Sequence, residues 1–470
     1  MRDLLMSFYG DDFTGSTDVL EALTLAGVKT VLFLTSPSAE ARADFADVDA
    51  LGIAGTGRSL SPDAMNEVLP PLFTELAALR APISHYKTCS TFDSSPEVGS
   101  IGRALDLGQE VFHSRFVPLV GGVPRFGRYC VFGNVFARAG VGSDGESYRL
   151  DRHPTMSVHP VTPMNESDLR VHLGRQTSKR FALFDVLQYR LDEPERSARL
   201  DELLTDEPEV VLFDLLEPEQ LAKAGQLIWS RASRQAPLFA IGGSGIQYAL
   251  LAHWRETGFL EPEKPSEPLE GVPQVLAVSG SCSPVTQRQI LEADAAGYEV
   301  VALDTPELVD PDRSAAARVA TIERAAKHLS DGRSVILHSC LGPQDPRIPA
   351  TSQALAARGI SPEEGRLQSA RLLGSQIGET LRALLEESSA PRVIVAGGDT
   401  SGYVAAALGI QALEMLAPLA PGNPVCRAYA PGSPFDGIEI AFKGGQVGSR
   451  DYFATALRGD TTARAERGIT

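Results

Sequence analysis

Short apolar runs that end in polar, glycine-containing turns and lead into helical patterns recur along this 470-residue chain. The first run, Leu4-Leu5-Met6, precedes the turn Gly10-Asp11-Asp12-Phe13-Thr14-Gly15, and Val19, Leu20 and Leu23 then share one helical face. A repeated strand, turn and helix predicts an α/β fold with mainly parallel sheets flanked by helices. In open sheets of this kind, ligands bind beyond the carboxyl ends of the strands, where such turns lie.

The length of the chain predicts two large domains, because it exceeds that of one ordinary domain. Residues 256–274 contain four prolines among glutamate and glycine and are typical of a linker. The predicted organisation is therefore an N-terminal domain of residues 1–255, a linker of residues 256–274 and a C-terminal domain of residues 275–470. Each domain is expected to contain its own mainly parallel sheet.

The composition of the chain limits which kinds of molecule are expected to bind it. Hydrophobic residues make up 43% of the chain and the formal net charge is −17, which fits a globular protein and argues against nucleic acid or an anionic membrane as partner. A local group of cations could still bind an anionic small molecule. The five cysteines lack C-x-x-C spacing and are expected to be reduced thiols in a cytoplasmic protein. No secretory leader and no membrane-spanning run is expected.

The adjacent carboxylates Asp11 and Asp12 allow three interpretations. They could take a proton from a substrate hydroxyl, hold a metal ion or cap the following helix. Capping explains one carboxylate well and two poorly.

The second half of the chain carries three further turns of this kind, Ser279–Ser283, Gly397–Gly402 and Lys443–Gly448. Glycine lets backbone N–H groups approach an anion closely, and a helix N-terminus provides positive potential there. One such turn is commonly structural, but three in one domain predict a polyphosphate-binding site. The Walker pattern and the dinucleotide fingerprint are both absent.

Six motifs in order resemble those of the four-carbon acid sugar kinases, a family formerly of unknown function, over nearly the whole chain. They are Gly10–Gly15, Tyr86–Ser94, His159–Met164, Ser279–Pro284, Gly397–Gly402 and Lys443–Gly448. The resemblance implies an N-terminal acid-sugar domain, a C-terminal ATP domain and phosphoryl transfer in the cleft between them. The form Cys89-Ser90-Thr91-Phe92-Asp93-Ser94 looks like the branch that uses 3-oxo acid sugars. Departures after Ser95 and around His153-Pro154 leave the substrate open among 3-oxo-tetronate, 3-oxo-isoapionate, threonate and erythronate.

The resemblance also implies roles for individual residues. Asp12 is expected to be the catalytic base, with Asp11 as an aligning group or magnesium contact. The implied acid-sugar contacts are Asp11, Asp12, Arg58, Lys87, Thr88, Cys89 and Ser90. The implied ATP contacts are Ser279, Ser281, Gly397, Gly398, Asp399, Thr400 and Gly445. ATP and Mg²⁺ are the expected cofactors, and a homodimer is left open.

Several alternatives stand beside these roles. Lys87 could be a solvated charge at a strand end, Arg58 could pair with a nearby aspartate, and Asp399 could either bind magnesium or cap its helix. For Cys89, packing is expected rather than nucleophilic catalysis, because no base is evident near it. The alternative function is a regulatory protein that binds an acid sugar or nucleotide without chemistry. A hydrolase is disfavoured, since Gly243-Ser244-Gly245 does not complete G-x-S-x-G.

Overall fold

The computed structural model describes residues 3–139, 145–159, 161–262, 268–388 and 390–459. The chain forms two compact units, Met1–Lys264 and Pro265–Thr470. The division falls inside the predicted linker, of which residues 263–267 lie outside the described part. Part of the His-Pro loop, at residue 160, also lies outside it.

Unit 1 alternates strands and helices, as the sequence pattern predicts. Its helices are α1 Phe13–Leu25, α2 Ala39–Asp44, α3 Pro62–Ala78, α4 Ile101–Phe112, α5 Leu169–Gly174, α6 Glu193–Leu203, α7 Glu219–Trp229 and α8 Gly245–Glu256. Its strands are β1 Met6–Gly10, β2 Thr30–Phe33, β3 Ala50–Ala54, β4 Ile83–Lys87, β5 Val117–Val120, β6 Arg128–Val131, β7 Asn134–Arg138, β8 Ser147–Arg149, β9 Phe181–Phe184, β10 Val210–Phe213 and β11 Leu238–Gly242.

The main sheet of unit 1 is parallel, in the order β2-β3-β1-β4-β11-β5-β10-β9. Its strands are mostly buried, because helices cover the faces of the sheet, and the edge strand β9 is only partly buried. After β1 the chain forms β2 and β3 on one side of β1, and β4 then pairs with the other side of β1. The direction in which strands are added to the sheet therefore reverses at β1. Ligand sites of open α/β sheets lie at such a point.

A small antiparallel sheet, β6-β7-β8, interrupts this pattern in unit 1. The sequence showed strand-like character near Tyr129–Phe132 but not the three-stranded sheet. Phe132 and Gly133 join β6 to β7 with positive φ angles of 51° and 82°, and Asp214 accepts both of their backbone N–H groups. His153 and Pro154 follow β8 among short 3₁₀ turns, in agreement with a loop.

Unit 2 repeats the alternation of strands and helices. Its helices are α9 Pro284–Ala295, α10 Thr305–Leu308, α11 Ser314–Ser330, α12 Arg347–Ala357, α13 Pro362–Glu387, α14 Gly398–Leu408 and α15 Tyr452–Arg458. Its strands are β12 Val275–Ser279, β13 Glu299–Ala302, β14 Val335–His338, β15 Arg392–Ala396, β16 Ala412–Ala420, β17 Asn423–Tyr429 and β18 Glu439–Lys443.

In unit 2 the strand order is β13-β14-β12-β15-β18-β17-β16. The first five strands are parallel, whereas β17 runs antiparallel to both neighbours. The sequence did not indicate this antiparallel pair, because Pro418 and Pro424 interrupt the strand pattern. The mainly parallel, two-domain α/β class predicted from the sequence is confirmed.

The cores of the units consist of the apolar faces of strands and helices. In unit 2, Leu269 packs with Ala417, Val425 and Ala441, although it lies in the predicted linker. The buried Arg392 at the start of β15 donates to Glu439 at the start of β18, with an Nε–Oε2 distance of 2.7 Å. Among the described helices, none combines the length and apolarity needed to cross a membrane.

Candidate active site

Three turns of unit 1 meet at the carboxyl edge of its parallel sheet. Gly10 at the end of β1 is in register with Ala54 at the end of β3 and with Lys87 at the end of β4. This register places the Asp11-Asp12 turn between the other two turns. Arg58 lies in the 3₁₀ turn that follows β3, so residues far apart in sequence share one edge.

Arg58 binds both carboxylates of the Asp11-Asp12 pair. Its Nη2 is 2.7 Å from Oδ1 of Asp11, and its Nη1 is 2.9 Å from Oδ2 of Asp12. The backbone N–H of Arg58 also donates to the Asp11 carbonyl at 2.9 Å. The alternative in which Arg58 pairs with a nearby aspartate is therefore the arrangement observed. One guanidinium holds both carboxylates in a fixed orientation.

The two carboxylates occupy different environments. The Asp12 side chain is 30% exposed, whereas that of Asp11 is 3% exposed. Asp12 is the N-cap of α1, and its Oδ1 accepts the Gly15 N–H at 2.7 Å. Burial raises the pKa of Asp11 to about 6, against the opposing effect of Arg58 and with a further rise from Asp12. Asp12 is therefore the carboxylate that a bound molecule can reach.

Lys87 is buried at the end of β4 and is not a solvated charge, so that alternative is wrong. Its Nζ donates to the Thr88 carbonyl at 3.0 Å and lies 3.5 Å from Oδ2 of Asp18. Asp18 also accepts from the Ser244 hydroxyl and, at 3.2 Å, from Nε2 of Gln247. This network compensates the lysine charge with a carboxylate from α1.

A chain of hydrogen bonds follows Lys87 along the next turn. The Cys89 thiol and the Thr91 hydroxyl are 2.8 Å apart, and the Thr91 hydroxyl donates to Oδ1 of Asp93 at 2.7 Å. Burial raises the pKa of Cys89, with a further rise from Asp93, so the thiol form is favoured. This environment agrees with packing and hydrogen bonding rather than nucleophilic catalysis.

Thr88 and Ser90 are positioned by the neighbouring strand β11. The Thr88 N–H donates to the Gly242 carbonyl at 2.8 Å. A Cβ atom at Gly243 would lie 2.9 Å from the Cα of Ser90, so glycine is needed for this close approach. The predicted acid-sugar residues Asp11, Asp12, Arg58, Lys87, Thr88, Cys89 and Ser90 therefore belong to turns at one edge of the sheet.

The three glycine turns of unit 2 also meet at one edge. Ser279 at the end of β12 is in register with Ala396, and Ala396 is in register with Lys443. The backbone N–H of Gly280 donates to the Ala396 carbonyl, and that of Gly397 donates to the Lys443 carbonyl, each at 2.9 Å. Adjacent turns are thus bonded directly to one another.

The glycines of these turns have different surroundings. A Cβ atom at Gly280 would lie 2.0 Å from the Thr400 hydroxyl, and one at Gly445 would lie 2.5 Å from the Ser281 hydroxyl. These two glycines allow the turns to pack together. A Cβ atom at Gly398 would meet nothing within 4 Å. Gly398 begins α14, so open space borders the N-terminus of an eleven-residue helix.

Lys443, which ends β18, is 1% exposed. Its Nζ donates to the Thr286 hydroxyl at 3.1 Å and to the Gly444 carbonyl at 3.0 Å, and lies 5.6 Å from the centre of the Tyr452 ring. The Thr286 hydroxyl donates in turn to the Gly445 carbonyl at 2.8 Å. Burial lowers the pKa of Lys443 to about 7, and no carboxylate among the described residues forms an ion pair with it.

Asp399 is exposed in the first turn of α14. The N-cap of this helix is Gly397, and no side chain caps it, so Asp399 does not have the capping role. Within the described ranges, no group of three or more His, Cys, Asp or Glu residues could hold a metal ion. Magnesium commonly takes only one or two protein carboxylates together with substrate phosphates. Asp399 fits that requirement as a single protein ligand.

Sequence reasoning missed Asp18 and considered Ser244 only as a disfavoured nucleophile. The Ser244 hydroxyl donates a hydrogen bond to the Asp18 carboxylate, so its role here is to stabilise that buried carboxylate. The sequence signal for Asp18 was its position in α1 directly before the apolar residues Val19 and Leu20, where the structure shows it to be buried. A charged group rarely stays in such a position without partners.

Two family models match the chain. A sugar-binding N-terminal domain matches residues 6–250, and a nucleotide-binding C-terminal domain matches residues 276–453. The curated 3-oxo-isoapionate kinase of Paraburkholderia graminis is 47% identical over 456 residues, covering 97% of this chain and 94% of the relative. The 3-oxo-tetronate kinase of Pseudomonas savastanoi pv. phaseolicola is 29% identical, covering 97% of each chain.

Solved structures agree with the fold. A protein from Salmonella typhimurium LT2 aligns with a TM-score of 0.73 at 24% identity, covering 96% of this chain and 98% of its own. A protein from Haemophilus influenzae aligns with a TM-score of 0.69 at 22% identity over the same shares.

The raised pKa of Asp11 predicts a specific pH dependence of stability. The folded form binds the proton more tightly than the unfolded form, so Asp11 lowers stability as the pH rises from about 4 to about 6. Asp11→Asn removes this dependence. The free energy of unfolding of the variant, relative to the native protein, should rise by about 2.4 kcal/mol between pH 4 and pH 7. Urea unfolding across this range measures the difference; a constant difference would contradict the assignment.

The open space at Gly398 predicts that a substitution there lowers the affinity for ADP without lowering the stability of the protein. Gly398→Val should fold with a melting temperature close to native, because its side chain meets no neighbour. It should weaken ADP binding at least tenfold, since the side chain occupies the space in front of the α14 N-terminus. Calorimetric titration with ADP measures the affinity.

The matched control is Gly402→Ala, one turn later in α14, where an added Cβ also meets nothing within 4 Å. The control should bind ADP normally. Native ADP affinity in folded Gly398→Val would remove this space from the nucleotide site.

Proposed function

Because the chain belongs to the four-carbon acid sugar kinase family, we propose that it transfers the γ-phosphoryl group of ATP to a hydroxyl of a C4–C5 3-oxo acid. The family resemblance seen in the sequence is confirmed, and the chain is a sugar-acid kinase that uses ATP. The regulatory alternative is not favoured. Since the Paraburkholderia relative is a 3-oxo-isoapionate kinase, we propose 3-oxo-isoapionate as substrate before 3-oxo-tetronate, threonate or erythronate.

The observation that carries this proposal in unit 1 is the clamped pair of unlike carboxylates. Phosphoryl transfer needs alignment, charge neutralisation and a base for the attacking hydroxyl. Asp12 is the proposed base, because it is the more exposed member of the pair and its orientation is fixed at both oxygens. Asp11 is the proposed aligning group, since it lies buried against Arg58. A positioned base contributes about 10²–10⁴-fold to the rate.

The remaining unit 1 residues form the proposed acid-sugar site. Hydroxyl, thiol and backbone groups of the turn after β4 provide hydrogen bonds for the hydroxyl and keto groups of a small sugar. The proposed contacts beside the catalytic pair are Arg58, Lys87, Thr88, Cys89 and Ser90.

In unit 2, the proposed ATP contacts follow the glycine turns. The N–H groups at the start of α14 would donate hydrogen bonds to phosphate oxygens placed in the space in front of Gly398. The proposed contacts are Ser279, Ser281, Gly397, Gly398, Asp399, Thr400 and Gly445. Mg²⁺, when bound with ATP, would neutralise phosphate charge, and Asp399 is the proposed protein ligand.

Two expectations from the sequence stay proposals. The cytoplasm is the proposed location, consistent with five cysteines that form no disulfide. A homodimer is the proposed assembly, while the partners that the family assignment supports are a small-molecule acid and ATP.

A substrate panel tests the function directly. The purified protein is incubated with ATP, Mg²⁺ and, separately, 3-oxo-isoapionate, 3-oxo-tetronate, threonate and erythronate, and ADP release is measured. We expect the highest kcat/KM with a 3-oxo acid. A protein that bound these acids but released no ADP with any of them would instead favour the regulatory alternative.

The catalytic role of Asp12 predicts that Asp12→Asn lowers kcat by about 10²-fold or more and leaves the KM for ATP nearly unchanged. Asparagine keeps the helix cap but loses basicity. The melting temperature, measured on the same sample, should fall only modestly, since one contact with Arg58 is lost.

Asp192→Asn is the matched control, because Asp192 is the N-cap of α6 and accepts the Glu195 N–H at 3.0 Å. It repeats the same chemical change at a helix cap outside the site and should leave kcat unchanged. If Asp12→Asn behaved like this control, Asp12 would be a cap and not the base.

A further inference from the structure

Two of the cations at the acid-sugar edge of unit 1 already have carboxylate partners. Arg58 pairs with Asp11 and Asp12, and Lys87 faces Asp18. A substrate carboxylate placed against Arg58 would lie beside two other carboxylates. Like charges at such short range disfavour one another. The selection of an acid over a neutral sugar therefore requires a cation whose charge is not already neutralised.

Arg128, the first residue of β6, has this property. Its Nη1 donates to the backbone carbonyls of Phe126, Gly127 and Arg138 at 3.1, 3.3 and 3.3 Å. Within the described residues it forms no ion pair, and its Nε is buried without a hydrogen-bond partner. The carbonyls fix the position of the guanidinium but carry no charge to neutralise it. The partly buried side chain is thus an anchored cation that no carboxylate contacts in an ion pair among the described residues.

The position of Arg128 connects it to the substrate turn. Arg128 pairs with Val123 through backbone hydrogen bonds of 2.8 and 3.2 Å. The neighbouring Gly122 carbonyl lies 2.3 Å from the Cβ position of Gly245, in the same turn as the Gly243 that contacts Ser90. Arg128 also interacts electrostatically with Cys89 and with Asp93. Cys89 also interacts with Arg58. Asp93 interacts with Arg128 only at longer range, since the two side chains form no ion pair.

We propose that Arg128 binds the carboxylate of the acid sugar and so determines the preference of the enzyme for acids over neutral sugars. In this arrangement Arg58 orients the catalytic pair, and the small sheet β6-β7-β8 serves to carry Arg128 to the site. A partly buried arginine–carboxylate pair is stronger than an exposed one, because less water competes for it. This inference rests on the proposed function, since it names how that substrate class is recognised.

The test compares 3-oxo-isoapionate with its primary amide, which has the same shape but lacks the negative charge and carries an NH2 group in place of one oxygen. In Arg128→Gln, an amide donor remains for the hairpin carbonyls but the charge is lost. We expect the KM for the acid to rise at least 30-fold, with kcat within threefold of native and kcat/KM for the amide nearly unchanged. Arg128→Lys keeps a cation and should raise the KM for the acid by less, about tenfold.

Arg125→Gln is the matched control, because Arg125 is three residues away, is exposed and packs its guanidinium over the Tyr248 ring. It should behave as native with both compounds. If Arg128→Gln does not fold, Arg128→Lys carries the test. A native KM for the acid in either folded variant, or an equal loss for acid and amide, would overturn the proposal.

The result also separates this inference from the proposed function. Native protein that phosphorylates the acid, together with Arg128 variants that retain native KM, rejects the role of Arg128 alone. Native protein that releases no ADP with the acid rejects the proposed substrate, and the role of Arg128 falls with it.

Discussion

Parallel strand register is the constraint on which both candidate sites depend. Because the carboxyl ends of neighbouring parallel strands lie level, turns that are widely separated in sequence are brought to one edge. In unit 1 this brings Asp11, Arg58 and Lys87 together, and in unit 2 it aligns Ser279, Ala396 and Lys443.

The sequence was informative where the signal is local. Glycine turns after apolar runs, and capping side chains such as Asp12, are determined by the backbone geometry of a few residues, and the strand–turn–helix units followed from them. Local sequence signals could not predict which charged side chains form ion pairs across the fold. Arg58 and Arg128 are both arginines near strand ends or turns. Only the tertiary structure shows that the first forms ion pairs with two carboxylates, whereas the second forms none among the described residues. The antiparallel strand β17 was likewise hidden, because its pairing depends on neighbours distant in sequence.

The two units handle charge differently at corresponding places. Unit 1 pairs Arg58 and Lys87 with carboxylates, and burial raises the pKa of one of them, Asp11, to about 6. In unit 2, the proposed phosphate contacts are backbone N–H groups at the N-terminus of a helix. Backbone and side-chain hydrogen bonds hold the turns of this edge together. A site for a compact, partly uncharged sugar benefits from specific side-chain partners, whereas a polyphosphate is recognised by many oriented backbone dipoles.

The buried ammonium of Lys443 has a consequence for proton balance. With its pKa lowered to about 7, this group is only partly protonated at neutral pH. A polyanion held close to it stabilises the charged form, and thermodynamic linkage then requires that the group gain proton occupancy. Any ligand that brings several negative charges to this edge of unit 2 would therefore withdraw a fraction of a proton from the surrounding buffer. Its measured binding enthalpy would then vary with the ionisation heat of that buffer.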